Sequence, residues 1–470
     1  MVEQAATIAR LQQRIVELEA EVGDLKRRLA QNSRNSSRPP SSDGLSKPPI
    51  KKSLRRPSGR KPGGQPGHEG GHLAAVADPD EILTHSSACC AGCGRGLAGM
   101  PVESSERRQV FDLPEIRVRV VEHVLERRRC GCGQLTGGSF PAGVCAPTQY
   151  GPRVRALAMY LIARQHLPYE RTAELFADWL GAPISTGTLA AYLARGAEDL
   201  QEFLDEVHRQ LISAPVAFFD ETGARVDGRL RWLHASSTDT LTLYALHDKR
   251  GQEGIDHAGV LPRFRGIAVH DGLKAYRRYT DAAHALCNAH HLRELQAAIE
   301  QDPDGAQSWA RQMDRLLRDL QRAVVTATDD GHDQLDILQL AGYRAAYEQI
   351  IATGYRENPL NTIRTGKRGF IAQAPTRNLL CRLDEHREDV LRFAHDFRVP
   401  FDNNLVERDI RMVKLQQKIS GCWRTSTGAD QFLALRAYLS TARKQGRHVL
   451  DALTRLADHD PWIPHPAMAT

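Results

Sequence analysis

Asp220 closes the short apolar run Val216-Ala217-Phe218-Phe219, and Asp271 closes a second, Gly266-Ile267-Ala268-Val269-His270. A third acid, Glu407, lies in the polar, helix-patterned segment after Phe401. Such a set suits phosphoryl transfer. Two Mg²⁺ ions (or Mn²⁺) roughly 3.5–4 Å apart activate an attacking oxygen and stabilise a leaving one. Mg²⁺ takes hard oxygen ligands and keeps several waters, so few carboxylates suffice. A single aspartate at a strand end is more often a cap or turn residue. Two of them at the correct strands, with a later helical acid, favour the metal reading.

Asp396, Asp402 and Asp409 compete for the third place. Asp396 precedes Pro400 and belongs before the helix. Asp402 suits a cap, its oxygen spent on backbone N–H groups. Asp409 lies about 200° around a helix from Glu407, so it is expected to face away and to be dispensable for activity. Glu407 sits about one turn into the helix, with Arg411 and Lys414 following on the same face. These two, with Arg408, are expected to approach DNA phosphates beside the metals. The plainer reading of Glu407 is a surface ion pair with Arg411, worth a few tenths of a kcal/mol.

Six of the nine cysteines lie between Cys89 and Cys145. Cys90-x-x-Cys93 and Cys130-x-Cys132 form two knuckles, and four thiolates match one structural, tetrahedral Zn²⁺ with no open catalytic position. Cys89 is an alternative to Cys90. Cys287-x-x-His290 has ligand spacing too, but reads first as a buried core cysteine and a helix-start histidine.

These residues need elements to place them, and the patterns predict a multidomain α+β protein. Residues 1–31 carry the heptad seam Ile8, Leu11, Ile15, Leu18, Val22, Leu25, Leu29, the spacing of a two-helix coiled coil; a helix docked on its own protein shares that pattern. Residues 32–75 form a basic linker rich in Ser, Pro and Gly that cannot pay for its own ordering. Residues 76–147 hold the cysteine pairs and β-like runs at Ile82–His85 and Arg117–Val121. Residues 148–212 are helical. Tyr169–Leu180, the break at Gly181-Ala182-Pro183 and the capped start at Ser185 make a helix-turn-helix shape, which an ordinary helix pair would also produce. Residues 213–300 then change period. Three antiparallel strands with a turn at Asp227-Gly228, a helix near Gln252–His257, a strand, a helix and a further strand give the first part of an RNase-H-like core. In that order the first and fourth strands lie side by side, which brings Asp220 and Asp271 close. A helical insertion follows over 301–395. Residues 396–470 supply the catalytic helix, a C-terminal helix and an extended tail.

The chain has 470 residues, of which 41% are apolar, enough for at least one sizeable core. Basic residues exceed acidic ones by 63 to 57, and the excess is local. Between Asp43 and Glu69 no acid interrupts Lys47, Lys51, Lys52, Arg55, Arg56, Arg60 and Lys61. Lys51, Lys52, Arg55, Arg56, Arg60 and Lys61 are candidate DNA-backbone contacts; a solvated linker is the alternative. No apolar run approaches a membrane span and no signal peptide opens the chain, so a cytoplasmic, nucleoid-associated protein is expected.

The chain resembles, from about Leu11 to Pro464, the large transposase of the insertion sequence 66 family, within the DDE transposases. The resemblance is carried by QNSRNSSRPPSSD (31–43), GRKPGGQPGH (59–68), YGPRVRALAMYL (150–161), DETGARVDGRLRWLH (220–234), HDGLKAYRR (270–278), CNAHHLREL (287–295) and DNNLVERDIRMVKLQQKISG (402–421). It implies that Asp220, Asp271 and Glu407 are the catalytic triad. It also implies a zinc-binding domain at the cysteine pairs, and cleavage of the ends of a bacterial insertion sequence followed by attack of the 3′-OH groups on target DNA. Double-stranded DNA is the expected partner, with a homo-oligomer and small accessory proteins of the same element. The chain departs from the family pattern in its doubled Cys89-Cys90 and its C-x-C knuckle. A non-catalytic DNA-binding regulator and a structure-specific nuclease without a joining step are the rival readings, because an RNase-H-like fold alone does not choose among them.

Overall fold

The computed structural model describes residues 71, 73–302, 305–361 and 373–465, together with Thr7, Leu11, Gln12, Arg14, Ile15, Leu18, Glu21, Val22 and Leu25. The basic tract from Lys47 to Lys61 lies outside the described residues, as do Ile8 and Leu29 of the heptad seam. The nine described N-terminal residues are all helical. Their seam side chains Leu11, Ile15, Leu18, Val22 and Leu25 are exposed.

The centre is a five-stranded mixed sheet. Strands β3 (Val216–Val226), β4 (Arg229–Ser237) and β5 (Thr242–His247) run antiparallel. The β3–β4 hairpin turns on Asp227 and Gly228, both at positive φ (50° and 69°), the geometry that favours an Asp-Gly pair. Strands β6 (Ile267–His270) and β7 (Ala283–Leu286) then add in parallel, giving the order β5-β4-β3-β6-β7. The first and fourth strands of the five are therefore neighbours, with Val216 opposite Ile267 and Phe218 opposite Val269. Helix α5 (Gln252–Ala258) fills the crossover from β5 to β6.

Ahead of the sheet stand α1 (Pro152–Met159), α2 (Tyr169–Leu180), α3 (Thr186–Glu198) and α4 (Gln201–Ile212). Gly181 ends α2 in the left-handed region at φ 60°, and Ser185 caps α3 by accepting the Thr188 N–H. After β7, α6 (Asn288–Glu300) leads to an all-helical block of α7 (Ser308–Asp329), α8 (Ile337–Glu357), α9 (Pro375–Glu385) and α10 (Arg387–His395), the last lying against β7. Helix α11 (Asn404–Ser420) packs on β3 and β4, α12 (Ser426–Lys444) on β5 and α3, and α13 (Val449–Ala457) on α1. The extended tail docks: Trp462 is buried near Phe203, and the Pro464 carbonyl accepts from Gln210.

The described residues of 71–118 form a unit separate from the residues that follow. The runs Ile82–His85 and Arg117–Val121 are not strands. Alternating β-branched residues make a strand only where an edge is available to pair with, and among the described residues of 76–147 the only ladder is β1 (Arg127–Arg129) with β2 (Leu135–Gly137).

Asp409 lies off the Glu407 face, as expected, and has structural partners of its own. Its Oδ2 accepts from Ser237 Oγ at 2.8 Å, Thr242 Oγ1 at 3.2 Å and Lys444 Nζ at 2.7 Å, and its Oδ1 from Ser440 Oγ at 3.1 Å. Its carbonyl accepts from Tyr244 at 3.0 Å. Lys444 also donates to the carbonyls of Thr238 and Leu241. The pair is only 14% and 12% exposed, so it locks α11 to β4, β5 and α12. Removing one partner strands the other charge in a buried setting, which costs about 3–5 kcal/mol. Asp409→Asn is therefore expected to lower the urea-unfolding free energy by about 3 kcal/mol. A loss under about 0.5 kcal/mol, the range of ordinary surface changes, would show that the node does not hold the helix.

Candidate active site

The β3–β6 pairing decides where the acids meet. Asp220 follows Phe219 within β3, and Asp271 is the first residue beyond β6. Each uses its own backbone to orient itself. Asp220 Oδ1 accepts the Glu221 N–H at 2.8 Å, and Asp271 Oδ1 accepts the Leu273 N–H at 3.0 Å. The turn after Asp271 opens with Gly272 at φ 95°, whose N–H is held by His270 Nδ1. His270 is fully buried and meets His284 through its other nitrogen, at 3.0 Å. Burial keeps it neutral, its pKa well below the usual range.

Carboxylate oxygens of Asp220, Glu221 and Asp271 lie within 4.8 Å of one another. Burial first, then the charges of Glu221, Asp271 and Glu407, hold Asp220 well above the ordinary aspartate range. Glu407 thus reaches the same electrostatic site from α11. The structure brings Asp220 and Asp271 together with a further acid, Glu221, while Glu407 falls in a separate cluster with Cys287 and His290 and acts on Asp220 through its charge.

Glu221 has partners of its own. Its side chain is wholly buried; Oε1 accepts Arg250 Nε at 2.8 Å and Nη2 at 2.7 Å, and Oε2 accepts the Tyr276 hydroxyl at 2.6 Å. Arg250 in turn lies over the Trp232 ring. Burial and Asp271 push the Glu221 pKa up, while Tyr276 and Arg250 pull it down. The one sequence signal for Glu221 was its place inside the motif at 220–234; nothing local announced Arg250 or Tyr276.

Glu407 stands in the first turn of α11. Its Oε2 pairs with Arg411 at 3.0 Å, so the ordinary ion pair is present. Its Oε1 is buried without a hydrogen-bond partner and faces His290 Nδ1 at 3.9 Å, which also has none. Cys287, His290 and Glu407 form a second cluster with ligand atoms within 4.8 Å. Burial raises the Cys287 thiol to about 12, so it is a neutral acceptor and not a thiolate. The choice of Asp402 as a cap is partly met: its Oδ1 accepts the Asn404 N–H at 3.0 Å. Arg408 and Arg411 are exposed. Lys414, expected beside the DNA phosphates, is half-buried and donates to the Gly223 carbonyl.

The cysteine pairs occupy separate tight turns. At the first, Gly94 N–H returns to the Cys90 carbonyl and Cys90 N–H to Arg95. Hydrogen bonds from the Cys93 and Gly92 backbone, then from the Cys93 side chain, lower the Cys90 pKa. At the second, Gly133 N–H returns to Cys130, Cys130 N–H to Gln134, and backbone and side-chain bonds with Cys132 lower the Cys130 pKa. Such N–H···S turns favour the thiolate that a metal binds.

A family model described as transposase IS66 family matches residues 147–431, more than half of the chain, and spans Asp220, Asp271 and Glu407. A second, described as the zinc-finger binding domain of transposase IS66, matches residues 87–133, which include both cysteine pairs. A family of unknown function matches residues 2–74. Among curated relatives, two proteins of Sinorhizobium fredii named as uncharacterized, y4jD and y4qI, are 24% and 27% identical over 415 and 460 residues. These alignments cover 81% and 89% of this chain, and 75% and 79% of the relatives.

The crowding has a measurable sign. The folded-state pKa of Asp220 is raised, so ionising it costs stability as the pH climbs past the ordinary aspartate range, and below that range the cost is absent. In metal-free buffer at pH 8, Asp220→Asn is expected to melt about 2–4 °C above the parent chain, a gain of order 1 kcal/mol. The gap should close as the pH falls toward 4. A variant that melts lower at pH 8 would contradict the electrostatic account.

Proposed function

This chain belongs to the transposase IS66 family, and on that premise we propose that it is a two-metal DNA transposase: it cleaves the ends of an insertion sequence and joins the freed 3′-OH groups to target DNA. One observation carries the reading: the carboxylate oxygens of half-buried Asp220 and Asp271 and of buried Glu221 converge within 4.8 Å of one another, a crowding that a bound cation would relieve. Hard carboxylate oxygens from three separate elements suit Mg²⁺ or Mn²⁺. Asp220, Asp271 and Glu407 would hold the ions. The unpartnered Glu407 Oε1 fits that role. When bound, the ions supply activation of the attacking oxygen and stabilisation of the leaving 3′ oxygen. We read the sheet, with three antiparallel strands, two parallel ones and the first beside the fourth, as an RNase-H-like core.

The chain's own residues do the rest. Arg250 and Tyr276 compensate Glu221, so it is an anchor for the two aspartates and not a free ligand. Exposed Arg408 and Arg411 would meet DNA phosphates on the outer side of α11, while Lys414 braces that helix to β3. The basic tract at Lys51, Lys52, Arg55, Arg56, Arg60 and Lys61, with the α2–α3 pair, would supply DNA affinity. Cys90, Cys93, Cys130 and Cys132 would hold one structural Zn²⁺, with Cys89 the alternative to Cys90. The exposed seam at Leu11, Ile15, Leu18, Val22 and Leu25 suits a second copy of the chain, as holding two element ends requires. A cytoplasmic location on the nucleoid, with small accessory proteins of the element, completes the reading.

Strand transfer on end-bearing DNA in Mg²⁺ tests it. The parent chain should give cleaved and joined products. Glu407→Gln, Asp220→Asn and Asp271→Asn should each lose both by more than about 100-fold, beyond the usual effect of an outer-shell change, while binding of the end persists. Joining by Glu407→Gln at near the parental rate would remove Glu407 from the site. Cleavage without any joined product would reduce the protein to a nuclease.

A further inference from the structure

Asp220, Asp271 and Glu407 come from three separate elements, β3, the end of β6 and α11, and Cys287 stands where these meet. It follows β7 directly and precedes α6, and it is buried. Its N–H donates to the carbonyl of His270, the residue before Asp271, at 3.0 Å. Its Sγ accepts the N–H of Asn403 at 3.2 Å. Asn403 is fully buried at the start of α11, and its Nδ2 donates at 3.0 Å to the carbonyl of Phe219, the residue before Asp220. The Glu407 N–H then returns to the Asn403 carbonyl at 3.3 Å in the first turn. Three hydrogen bonds in series therefore connect the residues that precede both aspartates with the turn that carries the glutamate. The only side-chain acceptor in the series is one sulfur.

The next turn of α6 completes the arrangement. Asn288 N–H donates to Phe401 at 3.0 Å, and its side chain donates to Val390, which fixes the start of α6 against the approach to α11 and against α10. That places His290 Nδ1 at 3.9 Å from Glu407 Oε1 while Arg411 holds Oε2 at 3.0 Å. The carboxylate is bracketed between the two. Neither facing atom, His290 Nδ1 or Glu407 Oε1, has another partner.

We propose that Cys287 and His290 are positioning residues for Glu407: the Cys287 sulfur registers α11 against the strand ends, and His290 limits the swing of the Glu407 carboxylate. The inference rests on reading Glu407 as the third carboxylate. Sulfur suits the first role because its longer bond reaches the Asn403 N–H from the neighbouring element. It does not suit a ligand role toward Mg²⁺, which takes oxygen. A bracketed carboxylate is already placed before an ion arrives, so loss of the bracket shows as weaker ion binding and not as a uniformly slower reaction.

The test uses the full chain with Cys287→Ala, Cys287→Ser, His290→Phe and His290→Asn. End cleavage is measured across a Mg²⁺ series, and the Mg²⁺-induced rise in melting temperature is measured without DNA. Cys287→Ala and His290→Phe should raise the half-saturating Mg²⁺ concentration by about 10-fold, with the rate largely recovered at high Mg²⁺, and should shrink the melting rise. Cys287→Ser keeps an acceptor and His290→Asn keeps a polar atom near the Nδ1 position, so both should stay closer to the parent. If Cys287→Ala does not fold, the two His290 variants carry the test alone. Parental Mg²⁺ dependence in His290→Phe, or an equal rate loss at every Mg²⁺ concentration, would overturn the proposal. So would a second equivalent of Zn²⁺ in the parent chain that Cys287→Ala loses, since the pair would then be ligands. Glu407→Gln separates the two levels: if it is inactive while His290→Phe is parental, only the positioning role fails, and if it is active, the underlying assignment of Glu407 fails.

Discussion

Acidic side chains that repel one another are held close together around one fully buried member, Glu221. Asp220, Glu221 and Asp271 could move apart if their strands could separate, but β3 and β6 are bonded side by side in the middle of the sheet. Backbone pairing therefore fixes a spacing that electrostatics alone would not choose. The compensation is selective. Glu221 receives an arginine and a phenol, while Asp220 and Asp271 receive only backbone N–H groups from their own turns. One carboxylate is engaged by side chains of the core, and the hydrogen bonds of the other two come from nearby backbone.

The third acid depends on a helix, and helices shift more easily than paired strands. Helix α11 is pinned on two sides. On one, Asp409 and Lys444 tie it to β4, β5 and α12 with a buried ion pair whose remaining donors and acceptors are also engaged. On the other, the Asn403 N–H meets the Cys287 sulfur and the Asn403 amide meets the carbonyl before Asp220. Between these pins the Glu407 carboxylate has one oxygen on Arg411 and one facing His290. The site is built on strand ends and a braced helix, the elements best able to hold a geometry.

The N-terminal third works on different terms. No described residue from 73 to 149 is buried, and large apolar side chains such as Val102, Val110 and Val120 are open to solvent. A segment that buries so little has little of its own to set against chain entropy. The tight turns at Cys90 and Cys130 point to an ion as an outside source of stability. The family match to a zinc-finger domain over 87–133 agrees with this.

The sequence by itself determined whatever depends on backbone period and turn chemistry. The Asp227-Gly228 hairpin, the Gly181 stop and the Ser185 cap are each set by residues within a few positions of one another, and the succession of strands and helices by their period. That succession matched a pattern in which the first and fourth strands are neighbours, and the β3–β6 pairing does bring Asp220 and Asp271 close. Tertiary structure decided which side chains share a volume. Glu221 meets Arg250 29 residues away, Cys287 meets Asn403 across 116, and Asp409 meets Ser237 across 172. No spacing rule reaches that far, which is why the partners of Glu221, Cys287, Asp409 and Lys414 could not be read from the sequence. The runs at 82–85 and 117–121 misled for the same reason: alternation predicts a face, but only a neighbouring strand makes that face part of a sheet.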